Sequence, residues 1–408
     1  MNKQTTYTPS GVYEFMTKMI TSNDKLMAQG KAPVSLSISG VHGIGKSTIC
    51  KEVAEDMKRG FFKLNLAQLT EPSELLGFYQ KESKMTKEGH EDVWIPESLI
   101  PKFYDDGYKY SGETRTIACP PEWVVNLKEN SILCLDDFSR GNSLFAQAVM
   151  ELVNEGQMIG WDLKAKKVQI ILNENPDDGS YNTTSLDGAQ TDRMFKIHMI
   201  WDAKDWAARA EKIGADERLI NFVLWAPEFL EKNKKNGLDA EGGISPRMMD
   251  KFFNIISTID DFSTPSAKAE IMAYASTSVG STFGAHLLKF IDNKLDKLPS
   301  VEKLIKEDKL EDAKKSLSQA CGMISNPDGE TWKSATSAIL SLRFVNYVQH
   351  NASNLNKADI KQFADLIHHD SFSDGQKVIM VKQTVKLGSN ISKELVQDPR
   401  FAKMLMSK

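Results

Sequence analysis

The stretch VSLSISGVHGIGKST, residues 34–48, decides the fold of this chain. Apolar and polar side chains alternate over residues 34–39, which predicts a β-strand that ends at Gly40. A glycine-rich turn follows, and from Lys46 to about Met57 the pattern is helical. The stretch therefore predicts a strand, a tight loop and a helix in direct succession.

The loop at 40–47, the phosphate loop, fits the pattern G-x-x-x-x-G-K-[ST] and indicates phosphate binding. Glycines let successive backbone N–H groups point at one anion, and the positive end of the helix dipole faces the same place. Lys46 is expected to reach the β- and γ-phosphates of a nucleotide, and Ser47 to place its hydroxyl on Mg²⁺. The predicted nucleotide-binding residues are Gly40, Gly43, Ile44, Gly45, Lys46, Ser47 and Thr48.

Further strands are predicted from short apolar runs along the first half of the chain. These runs are FFKLNL (61–66), SILCLDD (131–137), VQIILN (168–173) and FKIHMIWD (195–202). Helical patterns alternate with them, which indicates βαβ units and a parallel sheet covered on both faces. After about Ala203 the strand patterns stop and helical patterns separated by polar breaks continue to the end. We therefore predict an α/β core followed by a mainly α-helical region.

Composition excludes several classes of protein. Lys and Arg total 51 and Asp and Glu total 55, so a net charge of −4 argues against a general polyanion binder. The four cysteines are too sparse for a disulfide framework, and none has the CxxC or another spacing typical of metal ligands. The polar start predicts no secretory signal, and no apolar run is long enough to cross a membrane. These features predict a cytoplasmic protein.

Two carboxylates end the apolar run ILCLDDF (132–138). Ligand sites in open α/β sheets lie at the carboxyl ends of the strands, so Asp136 is placed to hold Mg²⁺. Asp137 is placed to orient or deprotonate an attacking water molecule. The alternative is that the two aspartates only cap the next helix.

Three weaker features follow along the chain. Asn175 comes directly after the fourth predicted strand, where a polar side chain could hold the γ-phosphate or the attacking water. Asp192 and Arg193 precede the fifth predicted strand. In GISPR (243–247), serine and proline mark a helix start from which Arg247 would point back.

In this order, the motifs resemble those of AAA+ ATPases, and of their MoxR-like branch, over roughly residues 34–255. The resemblance is carried by GVHGIGKS (40–47), TEPSELLG (70–77), LDDFSRGNSLFAQAVMELVNEGQ (135–157), NENPDDGSY (173–181), AQTDRM (189–194) and GISPR (243–247). The stretch at 70–77 and the long segment after it are similar to that branch's elaboration of helix 2. The segment GQMIGWDLKAKKVQI (156–170) resembles its hairpin insertion.

The resemblance implies roles and domains. It implies Walker A at Lys46 and Ser47 and the Walker B magnesium residue at Asp136. It implies sensor 1 at Asn175 and sensor 2 at Arg247. It also implies an arginine finger that acts on a neighbouring subunit, with Arg193 as first choice and Arg140 as second. The corresponding domains are an N-terminal helix (1–30), an AAA+ α/β nucleotide-binding core (31–203), a helical lid (204–262) and a C-terminal helical region serving as a partner or adaptor platform (263–408).

One position departs from the family pattern. The family usually has glutamate where this chain has Asp137, whose side chain is shorter by one methylene. A misplacement of about 1 Å can cost on the order of a hundredfold in rate. Either the attacking water shifts to suit, or hydrolysis is slow and nucleotide binding acts as a switch.

The implied activity is Mg²⁺-dependent hydrolysis of ATP by a homo-oligomeric ring, a hexamer by family analogy. The first functional hypothesis is a chaperone-like ATPase that remodels or assembles a protein partner, such as a von Willebrand A-domain protein. The second is a nucleic-acid motor or loader, in which Lys164, Lys166 and Lys167 of the insertion would line a pore. The third is a nucleotide-gated binding module with little turnover, motivated by Asp137.

Overall fold

A computed structural model describes residues 5–138, 143–158, 160–176, 193–227, 244–322, 330–386 and 390–401. The chain forms two compact units, Met1–Ile200 and Trp201–Lys408. Arg140, Asp192 and Gly243, which the sequence analysis singled out, lie outside the described residues.

The first unit contains the strands of the protein that the structure describes. In chain order they are β1 Thr6–Tyr7, β2 Ser35–Ser39, β3 Gly60–Asn65, β4 Phe78–Thr86, β5 Val93–Pro96, β6 Lys109–Cys119, β7 Ser131–Asp136, β8 Gln157–Met158, β9 Trp161–Asp162, β10 Gln169–Glu174 and β11 Met194–Met199. Six of them form one sheet in the order β1-β11-β2-β10-β7-β3, with every neighbouring pair parallel. The prediction of a parallel sheet is confirmed.

The five predicted strands of this sheet are all present. Strand β10 lies beside β7, with Leu172 opposite Leu135. The central strands are buried along nearly their whole length because helices cover parallel sheets on both faces. Strand β1 was not predicted, since two residues carry no periodicity.

Helices of the first unit connect and cover these strands. They are α1 Pro9–Ala28, α2 Lys46–Asp56, α3 Pro72–Leu76, α4 Ile100–Asp105, α5 Glu122–Asn126 and α6 Ser143–Glu155, with 3₁₀ turns at Leu66–Gln68 and Glu97–Leu99. Helix α1 begins after Thr8, whose side chain accepts a hydrogen bond from the Gly11 amide. Its buried Asn23 donates to the Val34 carbonyl and to Gln169 Oε1, both at 2.8 Å. These bonds fasten the N-terminal helix to the sheet.

The segment after α3 forms a sheet of its own. Strands β4, β5 and β6 make an antiparallel sheet in the order β5-β4-β6, called the small sheet. The resemblance predicts an elaboration of helix 2 in this segment, whereas the structure shows three strands there. The expected hairpin is confirmed, because β8 and β9 form an antiparallel pair, whereas its assignment as a MoxR-like insertion stays a prediction.

In the second unit, the regular secondary structure of the described residues is helical throughout. Its helices are α7 Ala203–Lys212, α8 Glu217–Trp225, α9 Pro246–Ile256, α10 Pro265–Ser278, α11 Ser281–Asp292, α12 Leu310–Gly322, α13 Glu330–Asn351, α14 Lys357–Ile367, α15 Asp374–Val385 and α16 Asn390–Gln397, with a 3₁₀ turn at Leu295–Lys297 and a π-helix at Lys303–Glu307. Phe222 contacts Phe283 and Phe290 edge to face. The predicted lid and the predicted C-terminal region therefore share an aromatic core.

None of the helices among the described residues is both long enough and apolar enough to cross a membrane.

Candidate nucleotide-binding site

The phosphate loop has a backbone that requires glycine. Gly43 and Gly45 have φ of 74° and 104°, a left-handed conformation that side chains with a Cβ rarely adopt. A Cβ on Gly40 would lie 2.8 Å from the carbonyl oxygen of Met199. Helix α2 begins directly after Gly45, so its first amides lie at the loop. The strand–loop–helix prediction is confirmed.

Lys46 places a positive charge inside this loop. Its side chain is 8 % exposed, and Nζ donates to the carbonyl oxygens of Gly40 at 2.6 Å and Val41 at 3.2 Å. Nζ also lies 3.5 Å from Oδ1 of Asn175. A nearly buried ammonium beside the amides of a helix start is an arrangement that suits a polyphosphate.

Ser47 and Asp136, predicted to share a metal ion, are brought together. Ser47 Oγ donates to Asp136 Oδ1 at 2.9 Å, because the start of α2 lies beside the carboxyl end of β7. Asn173, at the end of β10, donates from Nδ2 to the same carboxylate oxygen at 3.2 Å. The three side chains form one connected polar cluster.

The Asp136 carboxylate is held in its ionised form. Burial alone would raise its pKa, but the hydrogen bond and positive charge of Lys63, with the hydrogen bonds from Ser47 and Asn173, lower the pKa below its usual range. Lys63 Nζ lies 2.6 Å from Oδ2, whereas Ser47 contacts Oδ1. The site therefore contains a fixed negative charge with a lysine as its counter-ion.

Asn175 connects the two predicted catalytic groups. It is nearly buried and lies one residue beyond β10. Its Nδ2 donates to Asp137 Oδ1 at 3.5 Å, and its Oδ1 faces Lys46. Asp137 has φ of 55°, a left-handed conformation that aspartate tolerates better than most residues. Asn175 and Asp137 thus lie at the phosphate loop, and their predicted catalytic roles stay predictions.

Two residues of the cluster were missed by sequence reasoning. Asn173 was assigned to a strand, yet it is fully buried and also contacts Ser47 Oγ at 3.4 Å and Cys134 Sγ at 3.1 Å. Lys63 sits on the edge strand β3, opposite Cys134 in the sheet. A polar residue ending an apolar run was a usable signal for Asn173. No local pattern marks Lys63, because its partner comes from strand pairing.

A thiol beside the cluster is kept neutral. Cys134 lies on β7 two positions before Asp136, and its hydrogen bond with Cys50 together with burial raises its pKa well above the usual range. A protonated, buried thiol is a poor metal ligand. A cation bound at this cluster would therefore be held by oxygen atoms.

Both predicted arginines are exposed. Arg193 is exposed and directly precedes β11. Arg247 is exposed on α9, whose start at Pro246 is capped by Ser245 through a 3.2 Å hydrogen bond from the Met248 amide. The predicted helix start is confirmed, but Arg247 belongs to the second unit and its sensor role stays a prediction.

One lysine of the insertion, Lys166, contacts backbone carbonyl groups of the same unit, and its predicted pore position stays a prediction. Lys166 Nζ donates to the carbonyl oxygens of Val124 and Leu127, both at 2.7 Å. It thereby stabilises the carboxyl end of α5, where carbonyl groups lack partners within the helix. Lys164 and Lys167 remain exposed.

The donor set suits Mg²⁺. This ion prefers oxygen ligands and is usually bound through one or two carboxylates, substrate phosphates and water. The Ser47 hydroxyl and the ionised Asp136 carboxylate, whose Oγ and Oδ1 atoms lie 2.9 Å apart, meet that requirement. Among the described residues, no group of three or more His, Cys, Asp or Glu side chains could hold a metal ion by itself. A site completed by a ligand's phosphates fits this chain.

Comparisons with known proteins agree with this geometry. Residues 35–194 match the family model of the AAA domain, dynein-related subfamily. This range contains the strands from β2 to β10 and the whole polar cluster, and the core has the parallel sheet of the P-loop NTPase fold in its AAA+ form. The match does not separate the MoxR-like branch from its relatives.

Solved structures give a weaker likeness. The RuvB Holliday junction branch migration motor of Thermotoga maritima is 11 % identical, with 74 % of this chain and 80 % of that chain covered and a TM-score of 0.33. A point mutant of the same RuvB protein is 10 % identical, with coverages of 76 % and 85 % and a TM-score of 0.34. No curated protein sequence matches the chain. Because these TM-scores are low, the assignment rests on residues 35–194 and on the site itself.

Proposed function

We propose that this chain, whose residues 35–194 carry an AAA domain, binds ATP with Mg²⁺ and hydrolyses it to ADP and phosphate. The observation that carries the proposal is the junction of the phosphate loop with the end of β7. There Ser47 Oγ lies 2.9 Å from Asp136 Oδ1, beside the buried ammonium of Lys46. A loop for phosphates and an oxygen site for their cation are thus combined at one place.

The residues divide the work by their chemistry. The loop amides and Lys46 would bind the phosphates, while Ser47 and Asp136 would hold Mg²⁺. When bound, Mg²⁺ would neutralise charge on the phosphate oxygens. Asp137, held by Asn175 at 3.5 Å, would accept the proton of the attacking water or orient it.

The test is phosphate release at high protein concentration. Lys46→Ala removes the ammonium from the loop, and we expect phosphate release to fall to the background rate. Lys51→Ala is the matched control, because Lys51 lies on the same helix but is exposed and pairs only loosely with Glu55 at 3.6 Å. Equal rates for Lys46→Ala and the unsubstituted protein would refute the proposal.

A second candidate, a nucleotide-gated module with little turnover, is favoured by Asp137. The shorter carboxylate at this position could leave the water poorly placed. Tight binding of ATP without phosphate release, measured on the same preparation, would favour this candidate over the proposal of ATP hydrolysis.

We further propose a homo-oligomeric ring, by family analogy a hexamer. Arg193 is exposed at the start of β11, so it is available to act on the nucleotide of a neighbouring subunit. Specific activity should then rise with protein concentration, and electron microscopy with a slowly hydrolysed ATP analogue should show closed rings. A specific activity that does not change with protein concentration would contradict the proposed ring.

For the partner, we propose a protein rather than a nucleic acid. The small sheet exposes the aromatic side chains of Phe78 and Tyr79, which are 57 % and 62 % exposed. Several cations of the same sheet are paired with carboxylates: Lys81 with Glu97 at 2.7 Å, Lys84 with Asp92 at 3.2 Å and Arg115 with Glu82 at 2.7 Å. Exposed aromatics with neutralised charges suit a protein surface better than a phosphate backbone.

The finer assignment is to a chaperone-like ATPase of MoxR-like type, with a von Willebrand A-domain protein as one possible partner. ATPase activity stimulated by such a partner without DNA would support it. Stimulation by DNA with steep salt dependence would instead favour a nucleic-acid motor using Lys164 and Lys167.

A further inference from the structure

Lys63 contacts the oxygen of the Asp136 carboxylate that Ser47 and Asn173 do not contact. Its Nζ lies 2.6 Å from Oδ2, whereas Ser47 and Asn173 both contact Oδ1. In the sheet, Asn65 is the residue opposite Asp136, and Lys63 is opposite Cys134. The lysine side chain therefore extends along its strand toward the carboxyl end to reach the aspartate.

The two partners differ in their access to water. The Asp136 side chain is 13 % exposed and the Lys63 side chain 43 %. A mostly buried carboxylate is costly without a nearby positive charge. An ammonium on a long, flexible side chain at the sheet edge can leave for water at much lower cost. The pair is thus asymmetric: the aspartate needs a cation, and the lysine can be replaced as that cation.

We propose that Lys63 is a positioning residue that serves as the internal counter-cation of Asp136 and gives way when Mg²⁺ arrives with a nucleotide. This inference rests on the proposed function, since it concerns the same site. In the metal-free protein, Lys63 neutralises the carboxylate beside the phosphate loop. Repulsion between Asp136 and incoming phosphates is thereby reduced, and the metal has to compete with the lysine. Both effects weaken the coupling between Mg²⁺ and nucleotide.

The first test measures this coupling without turnover. The dissociation constant of a fluorescent ADP analogue is determined in EDTA and in millimolar Mg²⁺, and the ratio of the two values is the coupling. In Lys63→Met, binding in EDTA should weaken while binding in Mg²⁺ is kept or strengthened, so the ratio should rise about tenfold. Lys63→Arg keeps the charge and should stay near the original ratio. Lys81→Met, which removes a lysine paired with Glu97 on the small sheet, should leave the ratio unchanged.

The second test measures stability with Mg²⁺ alone. Lys63→Met leaves Asp136 without its counter-ion, so the metal-free melting temperature should fall. Mg²⁺ should then raise the melting temperature more in this variant than in the original protein.

The outcomes separate the two proposals. ADP binding that weakens equally with and without Mg²⁺ would make Lys63 a phosphate ligand and overturn the inference alone. An unchanged ratio would also overturn it. If the unsubstituted protein binds no ADP, the proposed function fails and the inference fails with it.

Discussion

The Ser47 hydroxyl donates a hydrogen bond of 2.9 Å to Oδ1 of Asp136, across 89 positions of sequence. This bond joins the start of α2 to the end of β7 and defines where a cation could be shared between protein and phosphates. The rest of the polar cluster is arranged around it, with Asn173 on the same oxygen and Lys63 on the other.

Asp136→Asn should abolish the effect of Mg²⁺ on nucleotide binding. The amide is nearly the same size but carries no charge, so ADP should bind in EDTA at least as well as before and gain little from Mg²⁺. Titration of a fluorescent ADP with and without Mg²⁺ checks this. Asp92→Asn is the control, because Asp92 pairs with Lys84 on the small sheet. Full retention of the Mg²⁺ effect would contradict Asp136 as the metal residue.

Asn173→Ala should lower metal affinity or activity by about 10- to 100-fold, as loss of a residue that orients metal ligands does. Asn173 donates to both Ser47 and Asp136, and its removal frees both side chains to turn. The measurement is the Mg²⁺ concentration that gives half-maximal phosphate release, with melting curves to verify folding. Asn126→Ala removes an exposed asparagine whose described hydrogen bond is to Glu122, and it should behave like the original protein.

Asp137→Asn should separate binding from chemistry. The amide cannot accept a proton from water, and loss of a general base costs about 10²- to 10⁴-fold. We expect phosphate release to fall by that factor while the dissociation constant for ADP changes less than about twofold, because Asp137 contacts no part of the phosphate loop by a described hydrogen bond. Undiminished turnover in single-turnover assays would exclude Asp137 as the base.

Tyr13→Phe should change the response of stability to alkaline pH. Tyr13 Oη donates to Asp56 Oδ2 at 2.7 Å, linking α1 to the end of α2. That hydrogen bond, burial and the charges of Asp56 and Glu52 raise the pKa of Tyr13 to about 12. A raised folded-state pKa contributes stability below the unfolded value of about 10, and the contribution is lost as pH rises through 12.

The measurement for this pair is urea unfolding from pH 8 to pH 12. The phenylalanine variant should be less stable by about 1 kcal/mol at pH 8, and the difference should shrink as the phenol ionises. A difference that does not change with pH would show that the hydrogen bond is not the source. Tyr79→Phe, on an exposed tyrosine of the small sheet, controls for unrelated tyrosine effects.

Arg343→Met should destabilise the second unit by about 3–5 kcal/mol, since breaking a buried ion pair leaves its partner charge unpaired. Arg343 is fully buried on α13, with Nε 2.6 Å from Glu211 and Nη2 3.2 Å from Glu217. These glutamates belong to α7 and α8, so the pair ties the predicted lid to the C-terminal helices. Thermal unfolding monitored by circular dichroism gives the change.

Arg400→Met is the matched control for that variant. Arg400 pairs with Asp365 at 2.8 Å and Asp398 at 2.5 Å, but its side chain is nearly half exposed, so the expected loss is about 0–1 kcal/mol. Equal losses in the two variants would show that burial of Arg343 carries no special weight.

Much of the site could be predicted because its elements are local. Gly43, Gly45 and Lys46 belong to one short loop motif, and Asp136 ends an apolar run. Each of these residues can therefore be recognised from its neighbours in the sequence. Asn173 also ends an apolar run, but no local pattern shows that it contacts Asp136, and Lys63 has no local pattern. Both residues gain their roles only when three parallel strands align their ends at Asp136. Lys166 shows the converse, because a lysine that looked available in the sequence is used at the end of α5.

By itself, the sequence determined the phosphate loop, the five main strands of the parallel sheet and the helical second half. It also determined that Asp136 and Asp137 stand at the end of one of these strands. These features depend on backbone conformation, capping and periodicity among neighbouring residues. Only the tertiary structure decided the strand order, the formation of the small sheet by β4, β5 and β6, and the side chains that meet at Asp136. The reason is that strand pairing joins residues far apart in the chain, and no pattern among neighbours records which strands will pair.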